Sequence, residues 1–93
     1  MKVEAKLFAT LKFTLGVGKI TVDTDGSMTV RELLAHISSE LDHDIVPYLI
    51  HGDDTIIPGT MILVGGKNIH HLEGLDTVIN EPEVAIFPPS GGG

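Results

Sequence analysis

One stretch of this chain has the period of a helix, and that stretch constrains the fold more than any other feature. Val30, Leu33, Leu34, Ile37 and Leu41 stand at offsets of 0, 3, 4, 7 and 11, which places them on a single helical face. Thr29 and Glu32 ahead of it form a T-x-x-E capping box, in which the threonine side chain accepts from an early helix N–H while the glutamate reaches back. The spacing predicts a helix from Val30 to Leu41. Its one apolar face must be covered, and the remaining patterned segments read as strands that can cover it.

Val3, Ala5, Leu7 and Ala9 alternate with Lys2, Glu4, Lys6 and Phe8, the period of a half-buried strand from Lys2 to Thr10. Gly16 and Gly18 punctuate the segment after it. Ile20-Thr21-Val22-Asp23-Thr24 then reads as a second strand with Ile20 and Val22 inward, so the two are expected to make an N-terminal hairpin. Asp42 to Gly59 is an acidic loop with short apolar patches at Tyr48-Leu49-Ile50 and Ile56-Ile57. Met61-Ile62-Leu63-Val64 is a fully apolar strand, Gly65-Gly66 a two-residue turn at which both residues accept positive φ, and a further strand is expected near Lys67 to Ile69. His71 to Asp76 reads as a short helical turn, and Glu83-Val84-Ala85-Ile86-Phe87 resumes strand alternation until Pro88-Pro89 stops it. The order implies an α+β layer, one main helix on a mixed sheet, with residues 1–89 as the domain and 90–93 as a flexible tail.

Composition removes several function classes. At 93 residues there is room for one modest core, and the absence of cysteine rules out a disulfide framework, a thiolate metal site or a cysteine nucleophile. Thirteen acidic residues against six basic ones give a formal charge of −7. The basic residues Lys2, Lys6, Lys12, Lys19, Arg31 and Lys67 are scattered, whereas nucleic acid requires a clustered basic face, so no nucleic-acid partner is expected. No apolar run has the length of a signal peptide or a membrane span, which makes the cytoplasm the expected location and a membrane an unexpected partner.

No side-chain active site is apparent. His70, His71 and Glu73 are a tempting metal cluster, but adjacent residues on a strand point to opposite faces and no further ligand stands at helical spacing. Gly66-Lys67 fails the phosphate-loop pattern, because Met61 stands where the first glycine belongs and Asn68 comes after the lysine. Ser90 lacks the glycines on both sides and the subsequent helix of a nucleophile elbow. The chain is expected to bind no metal or cofactor and to catalyse nothing alone.

The functional signal lies at the end. Gly91-Gly92-Gly93 have no side chain to bury and a large ordering entropy, and they come directly after a strand and the stiff Pro88-Pro89 spacer. A slender arm so placed can enter a narrow channel on another protein. Phe8 and Phe87 both fall on the outward register of their strands, which leaves two readings open, an exposed docking patch or a pair of rings covered by the long loop.

The segment Glu83 to Gly93, with Phe87-Pro88-Pro89, the pair Ser90-Gly91 and the closing Gly92-Gly93, resembles the ending of the MoaD/ThiS family of ubiquitin-like sulfur carriers. Phe8-Ala9, the helix start at Thr29 to Leu34, Val64 to Ile69 and His71 to Thr77 extend the resemblance over most of the chain, while the loop from Asp42 to Gly59 is longer than in the shortest members. The resemblance implies a β-grasp fold in which the first and last strands are neighbours, so that Phe8 and Phe87 share one apolar patch beside the tail. It also implies a function. An E1-like adenylating enzyme uses ATP to convert the Gly93 carboxylate to an acyl-adenylate, a sulfur donor protein replaces one oxygen, and the resulting thiocarboxylate serves an acceptor enzyme. The Phe-Pro-Pro spacer points to the large subunit of molybdopterin synthase as that acceptor, with other sulfur-accepting enzymes open. Gly92 and Gly93 are then the reacting end, and Phe8, Phe87, Pro88, Pro89, Ser90 and Gly91 the docking residues. The same resemblance leaves open a protein modifier, in which a target lysine captures the activated glycine.

Overall fold

The computed structural model describes residues 1–89, so Ser90, Gly91, Gly92 and Gly93, and with them the expected flexible tail, lie outside the described residues. The elements are β1 (Lys2–Leu7), α1 (Ala9–Leu15), β2 (Lys19–Asp23), α2 (Val30–Leu41), β3 (Met61–Val64), β4 (Lys67–Asn68) and β5 (Glu83–Phe87). Single 3₁₀ turns cover Val46–Tyr48, Ile69–His71 and Gly74–Asp76.

The strands form one sheet in the order β2-β1-β5-β3-β4. β1 and β5 run parallel, with Ala5 opposite Val84 and Leu7 opposite Ile86, and every other neighbouring pair is antiparallel. The first and last strands are therefore neighbours in the middle of a mixed sheet. This is the β-grasp arrangement, and the α+β expectation holds.

Alternation along each strand sends one set of side chains to the helix. Val3, Ala5, Leu7, Ile20, Val22, Ile62, Val64, Val84 and Ile86 join Val30, Leu33, Leu34 and Ile37 of α2 in a single buried cluster. Each large aliphatic side chain fully removed from water there contributes about 1.5–3 kcal/mol. Helix α2 spans the predicted residues, and its capping box is complete: Thr29 Oγ1 accepts from Glu32 N–H at 3.2 Å while Glu32 Oε1 accepts from Thr29 N–H at 2.9 Å. The helix start is also tied to the segment after β4, since Val30 N–H donates to the Thr77 carbonyl at 2.9 Å.

The N-terminal hairpin needs correction. β1 stops at Leu7, and residues 9–15 form helix α1 in place of the end of a strand and a turn. Ala9 carries the break at a φ of 54°, Leu11 and Leu15 point inward one turn apart, and Gly16 ends the helix at a φ of 74° with its N–H on the Lys12 carbonyl. Further along, β4 ends at Asn68, because the Asn68 side chain accepts from His70 N–H at 2.9 Å and turns Ile69 into a 3₁₀ helix. The Gly65-Gly66 turn matches expectation, with φ values of 56° and 84°.

The loop from 42 to 59 is packed as well as solvated. Ile45, Leu49 and Ile50 belong to the core, and Ile50 makes an isolated bridge to Ile56. Asp53 accepts from the backbone and hydroxyl of Thr55, which holds its carboxyl below the usual carboxylate range.

Candidate functional site: an aromatic stack where β5 ends

Register fixes which residues meet on the face of the sheet away from α2. Lys6 stands opposite Ala85, and Ala85 opposite Leu63; one step on, Phe87 stands opposite Met61. Phe8 continues the extended backbone of β1, with φ −124° and ψ 163°, and its N–H donates to the Ile86 carbonyl at 3.2 Å. That bond places its ring beside Phe87, and the two stack face to face with centroids 4.3 Å apart and planes within 6°. Both rings are half-buried, and so are Ala85 and Leu63. Phe8, Phe87, Met61, Leu63 and Ala85 thus make one apolar strip on an otherwise polar face.

The strip has a charged end and an apolar end. Where β5 begins, Lys6 Nζ donates to Glu83 Oε1 at 2.9 Å, and this bond raises the lysine pKa above its ordinary value. Where β5 ends, Pro88 is buried and Pro89 half-buried. The Pro-Pro spacer therefore begins packed against the domain. Pro88 offers little surface to a partner, whereas Phe8 and Phe87 do offer theirs. The candidate residues Ser90, Gly91, Gly92 and Gly93 come next in the chain, outside the described residues.

Two contributors to this surface are not marked by the sequence pattern, Met61 and Leu63. Their outward aspect depends on the β3–β5 register, which a fully apolar run such as Met61 to Val64 does not disclose. Phe13 is 85% exposed on α1, the helix that the strand-like alternation conceals.

An open groove is lined by Lys67, His71, Leu72, Glu73, Asp76 and Thr77 among others, and the Thr77 hydroxyl there accepts from Glu73 N–H at 3.0 Å. No three His, Cys, Asp or Glu side chains are grouped so as to hold a metal among the described residues, and none of their helices is long and apolar enough to cross a membrane.

A β-grasp domain with a half-buried aromatic stack where its last strand ends, continuing in sequence into a run of glycines, defines the ubiquitin-like class of small modifiers and sulfur carriers. The chain belongs to the ThiS family, which it matches over residues 5–93. It is 31% identical over 94 aligned residues to small archaeal modifier protein 3 of Haloferax volcanii, covering all of both chains. It is 30% identical over 84 residues to a putative sulfur carrier protein of Archaeoglobus fulgidus, covering 89% of this chain and 93% of that one. The crystal structure of small archaeal modifier protein 1 of H. volcanii superposes with a TM-score of 0.75 at 26% identity, covering 96% of this chain and 98% of the other.

Proposed function

We propose that this protein is a sulfur carrier whose working group is the Gly93 carboxylate. A free carboxylate is a poor electrophile. Adenylation by an E1-like partner using ATP gives the carbonyl a good leaving group. The terminal sulfur of a persulfide-bearing donor protein displaces AMP to give an acyl disulfide, and a thiol then cleaves its S–S bond, leaving the thiocarboxylate here and a disulfide on the donor. The thiocarboxylate so formed is a nucleophilic sulfur delivered to an acceptor enzyme, for which the Phe87-Pro88-Pro89 spacer favours the large subunit of molybdopterin synthase. The catalysis belongs to the partners, the carrier to this chain, and the setting to the cytoplasm.

The observation that carries this reading is the Phe8–Phe87 stack, an apolar platform on the residues that lead into the tail. A partner seated on it grips Phe87, from which the sequence runs on through Pro88 and Pro89 to the glycines. Glycine at both positions lets the backbone thread a narrow channel and leaves the terminal carbonyl open from either face.

The test is incubation with an E1-like adenylating enzyme, ATP and a sulfur donor, with mass spectrometry as the readout. The expected product has one oxygen exchanged for sulfur, located on Gly93 by fragmentation. Deleting Gly93 withdraws the carboxylate by about 3.3–3.6 Å, and a misplacement near 1 Å already costs about 100-fold in a positioned reaction. The truncated chain is therefore expected to show no exchange. Equal rates for the two chains would sink the proposal.

A second reading is favoured by the full-length match to a relative named as a modifier. In it a lysine amine on a target attacks the same activated carbonyl and forms an isopeptide. Higher-mass adducts in lysate that carry this chain through Gly93 would establish conjugation, and their absence alongside a thiocarboxylated pool would leave the carrier role alone.

A further inference from the structure

We propose that β2 is a self-association edge, along which two copies of this chain pair β2 to β2, antiparallel, about a two-fold axis at Thr21. β2 is an outer strand of the sheet. Among the described residues no strand lies on its far side, and α2 leaves that side open as a groove lined by Thr21, Val22, Asp23, His36, Ser39 and Glu40. The opposite edge is β4, only two residues long before it turns into a 3₁₀ helix, and so offers little to pair with.

Hydrogen-bond parity shows which groups of β2 are available. Leu7 N–H donates to the Gly18 carbonyl at 2.9 Å, and Thr24 N–H to the Met1 carbonyl at 2.9 Å. In an antiparallel ladder the bonded pairs alternate, so Gly18, Ile20, Val22 and Thr24 turn their main chain toward β1. Lys19, Thr21 and Asp23 turn theirs to the open edge. A second strand set with Thr21 opposite Thr21 would place Lys19 opposite Asp23 of the second copy, and Asp23 opposite its Lys19. All three are then bonded pairs, each exchanging two N–H···O bonds.

The charge pattern selects the occupant. Read from Thr21 outward, β2 carries a cation two residues before and an anion two residues after, so an antiparallel copy of itself is its electrostatic complement. An unrelated strand would satisfy the main chain but not this pattern. Lys19 and Asp23 are available for it. Lys19 Nζ lies 3.9 Å from Glu4, and Asp23 lies 3.6 Å from the Met1 amino group, with the side chains 59% and 78% exposed. Ile20 would stand opposite Val22 on the helix side, which extends the apolar face across the junction. The dimer would be weak, since an edge of five residues buries less than the roughly 1,200 Å² of a stable interface. β1 separates β2 from β5, so the aromatic strip stays accessible in the pair, and the proposal stands apart from the carrier reading.

The test is sedimentation equilibrium of the full chain at rising concentration, up to the millimolar range. A reversible dimer is expected for the unaltered chain. Lys19→Glu and Asp23→Lys should each weaken it by about tenfold or more, because each sets like charges opposite one another at two places. An equimolar mixture of the two variants should recover the dimer as a mixed pair. Far-UV circular dichroism checks that both fold, and in the unaltered chain the amides of Thr21 and Asp23 should exchange more slowly as concentration rises. A chain that stays monomeric throughout, a dimer indifferent to both charge reversals, or concentration-dependent protection confined to other amides would each overturn the proposal.

Discussion

The guanidinium of Arg31 donates to the Asp54 carboxylate at 2.6 Å and lies 3.6 Å from that of Asp76, so one side chain of α2 holds the long loop and the 3₁₀ turn together. The pairing holds the Asp54 carboxyl below the usual carboxylate range. A carboxylate whose pKa is lower in the folded state contributes stability above its unfolded value and loses it as the pH falls through the folded value. Asp54→Asn keeps a residue that tolerates the φ of 73° found here while removing the charge. The expected outcome is a melting temperature below that of the unaltered chain at neutral pH, with the gap closing on acidification below the carboxylate range. A constant gap would mean that the ion pair plays no part.

Leu34 is fully buried beneath α2 at the centre of the single core. Leu34→Ala should cost about 2–5 kcal/mol, a large fraction of the stability of so small a domain, and chemical denaturation should show the midpoint fall without a change of slope.

Helix α1 offers an internal contrast. Leu11 is 1% exposed and Phe13 is 85% exposed two residues away. Leu11→Ala should destabilise by about 2–5 kcal/mol, whereas Phe13→Ser should fall within about 0.5 kcal/mol of the unaltered chain. Equal losses on urea titration would contradict the orientation of α1.

Phe87→Asp should preserve the fold, since the ring lies on the outer face, and should weaken binding to an E1-like adenylating enzyme by removing half of the stack. Circular dichroism and a binding titration belong side by side. Loss of helical signal would place Phe87 in the core, and unchanged affinity would remove the strip from the docking surface.

Legibility in the sequence depends on how far each feature rests on local pattern. Helix α2 is readable to its ends because the apolar offsets and the Thr29–Glu32 box agree, and the inward register of Val84 and Ile86 comes from simple alternation. Helix α1 is not readable in the same way. Its first residues continue the alternation of β1 through Ala9, and the break is a backbone turn at an alanine with positive φ, for which no residue type gives notice. Leu11, Leu15 and the adjoining Gly16 are the available signal, a single helical turn with a glycine stop. Phe8 and Phe87 are legible as outward residues, and their adjacency comes from the family resemblance. Met61 and Leu63 are not, since a strand apolar on every residue leaves open which side faces the helix.

β5 comes after every other element in the chain, yet it lies at the centre of the sheet, bonded to β1 on one side and to β3 on the other. Lys6 and Glu83, 77 positions apart, end up in contact. Until β5 is in place, β2-β1 and β3-β4 have no strand between them to join them into one sheet. Closure over so long a loop is also slow compared with local helix formation. A chain cut short before Glu83 would lack the strand that joins the two halves of the sheet, and with it Phe87 and the aromatic stack.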